Sequence, residues 1–275
     1  MGLLSALDEQ QVAVFDTFVV PRFLAMFAAI ALDMIVPCEG AVVANVNCRS
    51  GFPDQLLSRM LPSCTLVGFD PCEAALSLAR TKAALLPALT VDYRLAQDAP
   101  LPVPSESFSH VLALYPGVEP SRRAELIAEL ARIAAPDGQV ILAMPLRGSY
   151  QEVTDLLREY ALKHDASDVA KAVEASVMAR PTVEALSEEL EAAGLDDIDI
   201  EVKLMTLPFR SGGDFLQDPI TRLMVLRDLE MALGIADLGK PMAYVREAVD
   251  RYWAESEFEL SVNVGCASAR KLMEL

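Results

Sequence analysis

The stretch VVANVNCRSGFPDQLL (residues 42–57) decides how the rest of the chain reads. It opens as a short apolar run, breaks into polar turn residues, and resumes with Leu56, Leu57 and Met60 at helical spacing. A strand that turns into a helix is where doubly wound α/β proteins hold a nucleotide against backbone N–H groups. Such a turn favours glycine, which reaches φ > 0 without strain and lets the backbone approach a ligand. Here Asn47 and Arg49 stand in the turn, and Gly51 is its one glycine.

Working outward, strand and helix signals alternate. AVVANV (41–46), TLVGFD (65–70), ALTVDYRL (88–95), FSHVLALYP (108–116) and QVILAMP (139–145) read as strands. Between them lie FPDQLLSRML, a second helix opened by Pro71 at its first position, and an amphipathic helix from Pro120 that Pro136 and Gly138 stop. After the fifth strand, Ser149 with Glu152 three residues on reads as a capping box. This alternation predicts a parallel sheet covered by helices. The tail differs: DIDIEVKLMTLPF (197–209) and FELSVNVGC (258–266) alternate as long strands, which suggests an antiparallel addition. The expected organisation is a helical N-terminal extension (1–40), an α/β core (41–209), a helical insertion (210–255) and a last strand returning to the core (256–275). In the insertion, Ile220, Leu223, Met224, Leu226 and Leu229 form an apolar stripe, which reads first as core.

Composition excludes several classes. A formal charge of −17 argues against a nucleic-acid partner, which needs a surplus of Lys and Arg. Five cysteines without a CxxC pair read as buried, reduced thiols of a cytoplasmic protein. Only His110 and His164 are available as imidazole ligands, far apart in sequence, so no metal site is expected. The apolar run FLAMFAAIAL (23–32) falls short of the roughly 20 residues that span a bilayer, so no membrane segment is expected and the run reads as a buried helix.

Asp70, at the end of the second strand, stands where an acid takes ribose hydroxyls in a dinucleotide-type site. From residue 41 to 155 the order of parts resembles the class I S-adenosylmethionine-dependent methyltransferases, in the broad small-molecule group. VVANVNCRSG occupies the place of the family's first motif, an acid followed by a GxGxG turn, and LVGFDPCEAALSLAR resembles the second motif. LAQDAPLPVPSESFSHVLAL resembles the third region, and ELARIAAPDGQVILAMP its helix, turn and fifth strand. The resemblance implies a Rossmann-like fold, with a mostly parallel seven-stranded sheet and an antiparallel last strand. It implies S-adenosylmethionine as cofactor, held by Asn45, Asn47, Gly51, Asp70, Pro71, Gln97 and Asp98. It also implies that helix 20–35 packs beside the cofactor mouth.

The departures fall on that loop. Asn45 replaces the motif acid, Asn47 and Arg49 replace the first two glycines, Gln97 replaces the acid for the adenine amino group, and Ser109 stands where the family carries an acid. Asn tolerates left-handed backbone; Arg49 must swing clear of a cofactor or fill its place. Tyr115 and Arg147 are candidates for a substrate pocket, Arg147 as a clamp for a carboxylate or phosphate. No catalytic residue is named, because methyl transfer can run on proximity and orientation alone. Two functions remain: a methyltransferase acting on a small molecule or carrier-bound acid, and a catalytically silent protein of that fold that binds or scaffolds a partner. Its partner is accordingly a small-molecule substrate or a protein.

Overall fold

The structure is a computed structural model that describes residues 7–86, 89–96, 99–235 and 237–272. Seven strands, β1 (Val42–Val46), β2 (Thr65–Asp70), β3 (Thr90–Leu95), β4 (Phe108–Leu114), β5 (Ala134–Pro145), β6 (Leu195–Phe209) and β7 (Phe258–Lys271), form one sheet in the order β3-β2-β1-β4-β5-β7-β6. β1 runs parallel to β2 (Val43 opposite Leu66) and to β4 (Val43 opposite His110). The pairs β2/β3 and β4/β5 are parallel too, and β7 enters antiparallel between β5 and β6. The chain thus runs outward from β1 to β3 on one side and from β4 on the other. Where the order reverses, the connections leave β1 and β4 in opposite directions and open a crevice at their carboxyl ends.

The chain divides into two compact units. The first holds residues 1–144, 183–201 and 265–275; the second holds 145–182 and 202–264, so that segment 145–182 groups with the late helices.

In the first unit, helices α1 (Glu9–Asp33), α2 (Asp54–Met60), α3 (Glu73–Ala83), α4 (Arg123–Ile133) and α7 (Val183–Ala192) accompany the strands. Asp8 opens α1 with a capping box, its carboxylate accepting from the Gln11 N–H at 2.8 Å while Gln11 accepts from the Asp8 N–H. Between Phe15 and Leu24, around Pro21, the helix is wound as a π-helix. Pro21 has no N–H for the α ladder, and local π geometry is one way a helix accommodates that. The helical run of 25 residues is longer than the ten-residue apolar core suggested. It has the length and mean hydropathy (1.7) to cross a bilayer, yet in the fold Phe15, Val19, Phe23, Phe27 and Ala31 are buried against the unit. Four of the five cysteines are buried free thiols; Cys38 departs from expectation in being exposed. His110 is buried, with Nε2 at 2.9 Å from the Val36 carbonyl and Nδ1 at 3.0 Å from the Ser109 hydroxyl. Ser109 in turn accepts from the Val42 N–H, so both residues tie β4 to its neighbours.

In the second unit, α5 (Gln151–Lys163), α6 (Ser167–Ala179), α8 (Gly212–Gln217), α9 (Leu226–Leu233) and α10 (Gly239–Tyr252) surround an apolar interior. Ile220, Leu223, Met224 and Leu229 are buried there, so the stripe is mainly core. Arg180 pairs with Asp228 at 2.6 Å and lies over the Tyr150 ring. Ser149 does not cap α5, because Tyr150 precedes the helix in left-handed conformation. The Ser149 hydroxyl and the Glu152 carboxylate instead accept from the Asn263 and Ser261 N–H groups of β7, each at 3.0 Å.

One position on β2 tests the packing under the candidate loop. A Cβ on Gly68 would lie 2.5 Å from Tyr93 Cδ1 and 2.9 Å from Cys48 Sγ, both buried. Gly68→Ala therefore lowers stability by about 1–3 kcal/mol, measurable as a fall in urea midpoint; an unchanged midpoint means that the Tyr93 ring is free to shift.

Candidate functional site

The turn after β1 keeps the backbone of a glycine-rich loop without its glycines. Asn47, Arg49 and Gly51 all have positive φ, at 60°, 53° and 77°. Gly51 is obligatory, since a Cβ there would meet the Tyr93 hydroxyl at 2.5 Å. Asn47 takes the conformation at little strain, whereas an arginine pays about 1 kcal/mol or more for it. The conformation persists because tertiary contacts hold both sides: the Cys48 N–H donates to the Phe69 carbonyl at 3.0 Å, and the Arg49 N–H to Asp70 Oδ2 at 2.9 Å.

Arg49 does not point to solvent. It is 3% exposed and its guanidinium lies across the crevice between the ends of β2 and β4. Nη1 sits 3.6 Å from Asp70 Oδ2, and Nη2 donates to the Tyr115 carbonyl at 3.2 Å and to the Pro116 carbonyl at 3.5 Å. Asp70 has no exposed side-chain surface, and its Oδ1 accepts from the Cys72 N–H at 2.9 Å. Burial pushes the Asp70 carboxyl up, while Arg49 and the two N–H donors pull it back. The pair is a buried ion pair whose removal in part leaves an uncompensated charge.

Helix α1 closes this arrangement from above. Tyr115, with φ 46°, turns its carbonyl to Arg49, while its ring makes edge contacts with Phe23 (5.4 Å between centroids) and Phe27 (5.3 Å). Beside it, the Ser50 hydroxyl donates to Asp16 of α1 at 2.5 Å, and Lys82 of α3 reaches the same carboxylate oxygen at 2.6 Å. The expected helix beside the cofactor mouth is therefore present, and it covers the mouth.

Behind the turn lies a second polar network. Asn45 is buried and donates through Nδ2 to Asp54 Oδ1 at 2.7 Å and to the Phe52 carbonyl at 3.4 Å. The Tyr93 hydroxyl donates to Asp54 Oδ2 at 2.7 Å. Asp54 is thus a buried carboxylate held by neutral donors, and its pKa is raised, chiefly by burial. Tyr93 is raised too, by burial and then by the Asp54 charge. Neither residue was legible as part of the loop, because the reading of the motif stopped at Gly51 and Tyr93 sits on another strand.

Part of the crevice stays open. A cleft of about 680 Å³, counted out to solvent, is walled by Val46, Phe69, Leu101, Val118 and Leu126, with Asn47 and Pro71 at one end. Glu119, Arg122 and Glu125 stand on its rim. The Leu101 wall is pinned from α4: its N–H donates to Glu129 Oε1 at 2.6 Å, and Arg132 holds the Leu101 and Val103 carbonyls.

Of the residues expected to hold a cofactor, Asn47 and Pro71 face this cleft, Asn45 faces away into the Asp54 network, Gly51 shapes the turn, and Asp70 is consumed by Arg49. Gln97 and Asp98 lie outside the described residues, although their neighbours Ala96 and Ala99 line the cleft. Tyr115 offers no side chain to a pocket, being buried against α1. Arg147 belongs to the second unit and donates to the Met178 carbonyl at 3.2 Å and the Arg180 carbonyl at 3.4 Å, so its guanidinium is used in holding the C-terminal end of α6.

Residues 43–138 match the family described as Methyltransferase domain. That match covers less than half of the chain, and the likeness it carries is to the domain and not to the whole protein. The fold agrees over nearly the whole chain. The YcgJ protein of Bacillus subtilis is similar with a TM-score of 0.58 at 12% identity, covering 91% of this chain and 100% of that one. Phosphoethanolamine N-methyltransferase 2 of Haemonchus contortus, solved with phosphomonomethylethanolamine and S-adenosylhomocysteine, gives 0.59 at 14% identity, over 98% of this chain and 60% of its own. The [4+2]-cyclase SpnF gives 0.54 at 18% identity, over 91% and 81%. No curated protein matches the chain at a significant level. As arranged here, the described residues do not fit S-adenosylmethionine. The acid that would take its ribose has no accessible face, and a guanidinium crosses the crevice beside it.

The Asp54 network sets a pH dependence. With its folded pKa above the unfolded value near 4, Asp54 is costly as an ion, and that cost is relieved as pH falls through the folded pKa. Relative to Asp54→Asn, the parent protein therefore gains stability as pH is lowered from neutral toward about 4. Urea unfolding of both proteins across that range reads this directly; a difference independent of pH removes Asp54 as the titrating group.

Proposed function

We propose that this methyltransferase-fold chain works by binding a partner molecule and not by methyl transfer, with its donor seat filled by Arg49. The reading is carried by one observation, the buried contact of Arg49 with Asp70 and with the Tyr115 carbonyl. An external donor would have to displace a paired charge and the aromatic cover above it. The fold itself leaves the activity open; a relative of the same fold is described as a cyclase. Among the described residues, the apolar cleft between β1, β2 and α4 is accessible for binding. The charge of −17 speaks for a neutral or basic partner and against nucleic acid.

A second reading has an observation of its own. The open cleft beside Asn47 and Pro71 lies where the family resemblance sets the adenine of S-adenosylmethionine. On that reading the chain is an S-adenosylmethionine-dependent methyltransferase acting on a small molecule or carrier-bound acid, and Arg49 swings out when the cofactor binds.

Isothermal titration calorimetry and thermal shift on the intact protein separate the two. With S-adenosylmethionine or S-adenosylhomocysteine at millimolar concentration, the closed seat gives no heat and no change in Tm. Micromolar binding of either compound sinks the first reading and supports the second.

A further inference from the structure

Arg49 is held in the crevice under several simultaneous constraints. Its backbone lies in the left-handed region at φ 53°, which disfavours every residue but glycine and a few short polar ones. Its Nη1 is buried without a hydrogen-bond partner, its contact with Asp70 being a 3.6 Å ion pair. The segment of α1 that packs on its neighbours, Asp16 on Ser50 and Phe23 on Tyr115, is the π-helical stretch. Strain of this kind persists only where the surroundings enforce it. Besides the backbone bonds of Cys48 and Arg49, the surroundings include charge, because Arg49 is a cation in contact with a carboxylate that has no exposed surface.

Among the described residues, the groups that meet the guanidinium are acceptors: the Asp70 carboxylate, the Tyr115 carbonyl and the Pro116 carbonyl. The nearby Arg49 and Cys72 N–H groups are aimed at Asp70 itself. A crevice end made of a buried carboxylate and two carbonyls selects a small cation with N–H donors over a neutral or anionic group of the same shape. We infer that Arg49 is a tethered ligand, and that the crevice it fills is a seat for a small organic cation of the guanidinium type, opened by removal of this one side chain. The inference rests on the closed-seat reading above.

Arg49→Gly suits the test, because glycine takes φ 53° without strain. The probes are methylguanidinium and methylurea, similar in shape and different in charge, at millimolar concentration. Methylguanidinium is expected to raise the Tm of Arg49→Gly by about 2–4 °C more than methylurea does, while the parent protein responds equally to both. The double variant Arg49→Gly/Asp70→Asn, which leaves no bare carboxylate, is expected to lose the difference. If Arg49→Gly does not fold alone, the fraction that refolds with each probe, read by near-ultraviolet circular dichroism, replaces Tm. Recovery with the cation alone supports the seat; equal effects of the two probes, or a response that survives in the double variant, overturns it. Binding of S-adenosylmethionine by the parent protein defeats the closed-seat reading whatever the variants do. A silent parent with an unresponsive Arg49→Gly defeats only the tethered ligand.

Discussion

The contact of Arg49 with Asp70 constrains everything around it. Two opposite charges taken out of water lose their hydration, and their attraction restores it only when geometry and further hydrogen bonds are good. Asp70 is well satisfied, by the Cys72 and Arg49 N–H groups and the guanidinium. Arg49 is less so, with two carbonyls on Nη2 and none on Nη1. To keep that pair dry, the Tyr115 backbone is left-handed, its ring is locked between Phe23 and Phe27, and α1 lies across the crevice.

The same loop carries a second carboxylate. A charge that the family resemblance sets at position 45 is here an amide, and Asp54 accepts from it. The acid has in effect moved from β1 to the start of α2, where it faces Asn45 and Tyr93 and not the crevice. This explains how the turn keeps its left-handed residues. Tyr93, fixed by Asp54, fills the space over Gly51 and Gly68 and leaves the loop no room to relax. The first motif has been rebuilt as packing, with its backbone shape kept and its polar groups turned inward.

Much of the fold was legible because it rests on local patterns. Apolar runs bounded by turn residues marked the central parallel strands, and the two late alternating strands marked the antiparallel edge beside them. The N-terminal helix extends beyond its continuous apolar core, since exposed positions, among them Thr17 and Arg22, interrupt an apolar run that continues on the buried face. Ser149 and Glu152 had the spacing of a cap, yet the unpaired N–H groups of β7 competed for their oxygens and won. Arg147 and Tyr115 had positions beyond strand ends that suit a pocket, and packing used both for backbone support.

By itself, the sequence determined the order of strands and helices, the place of the loop and the acid at Asp70, because periodicity and turn chemistry act over a few residues. It also determined that the loop departs from glycine at 47 and 49. Which way Arg49 points is a matter of what meets it at the ends of β2 and β4, 21 and 66 residues distant along the chain. Only the tertiary structure could decide that, because a buried guanidinium goes where its charge and donors are best met, and those partners come together only when the chain is folded.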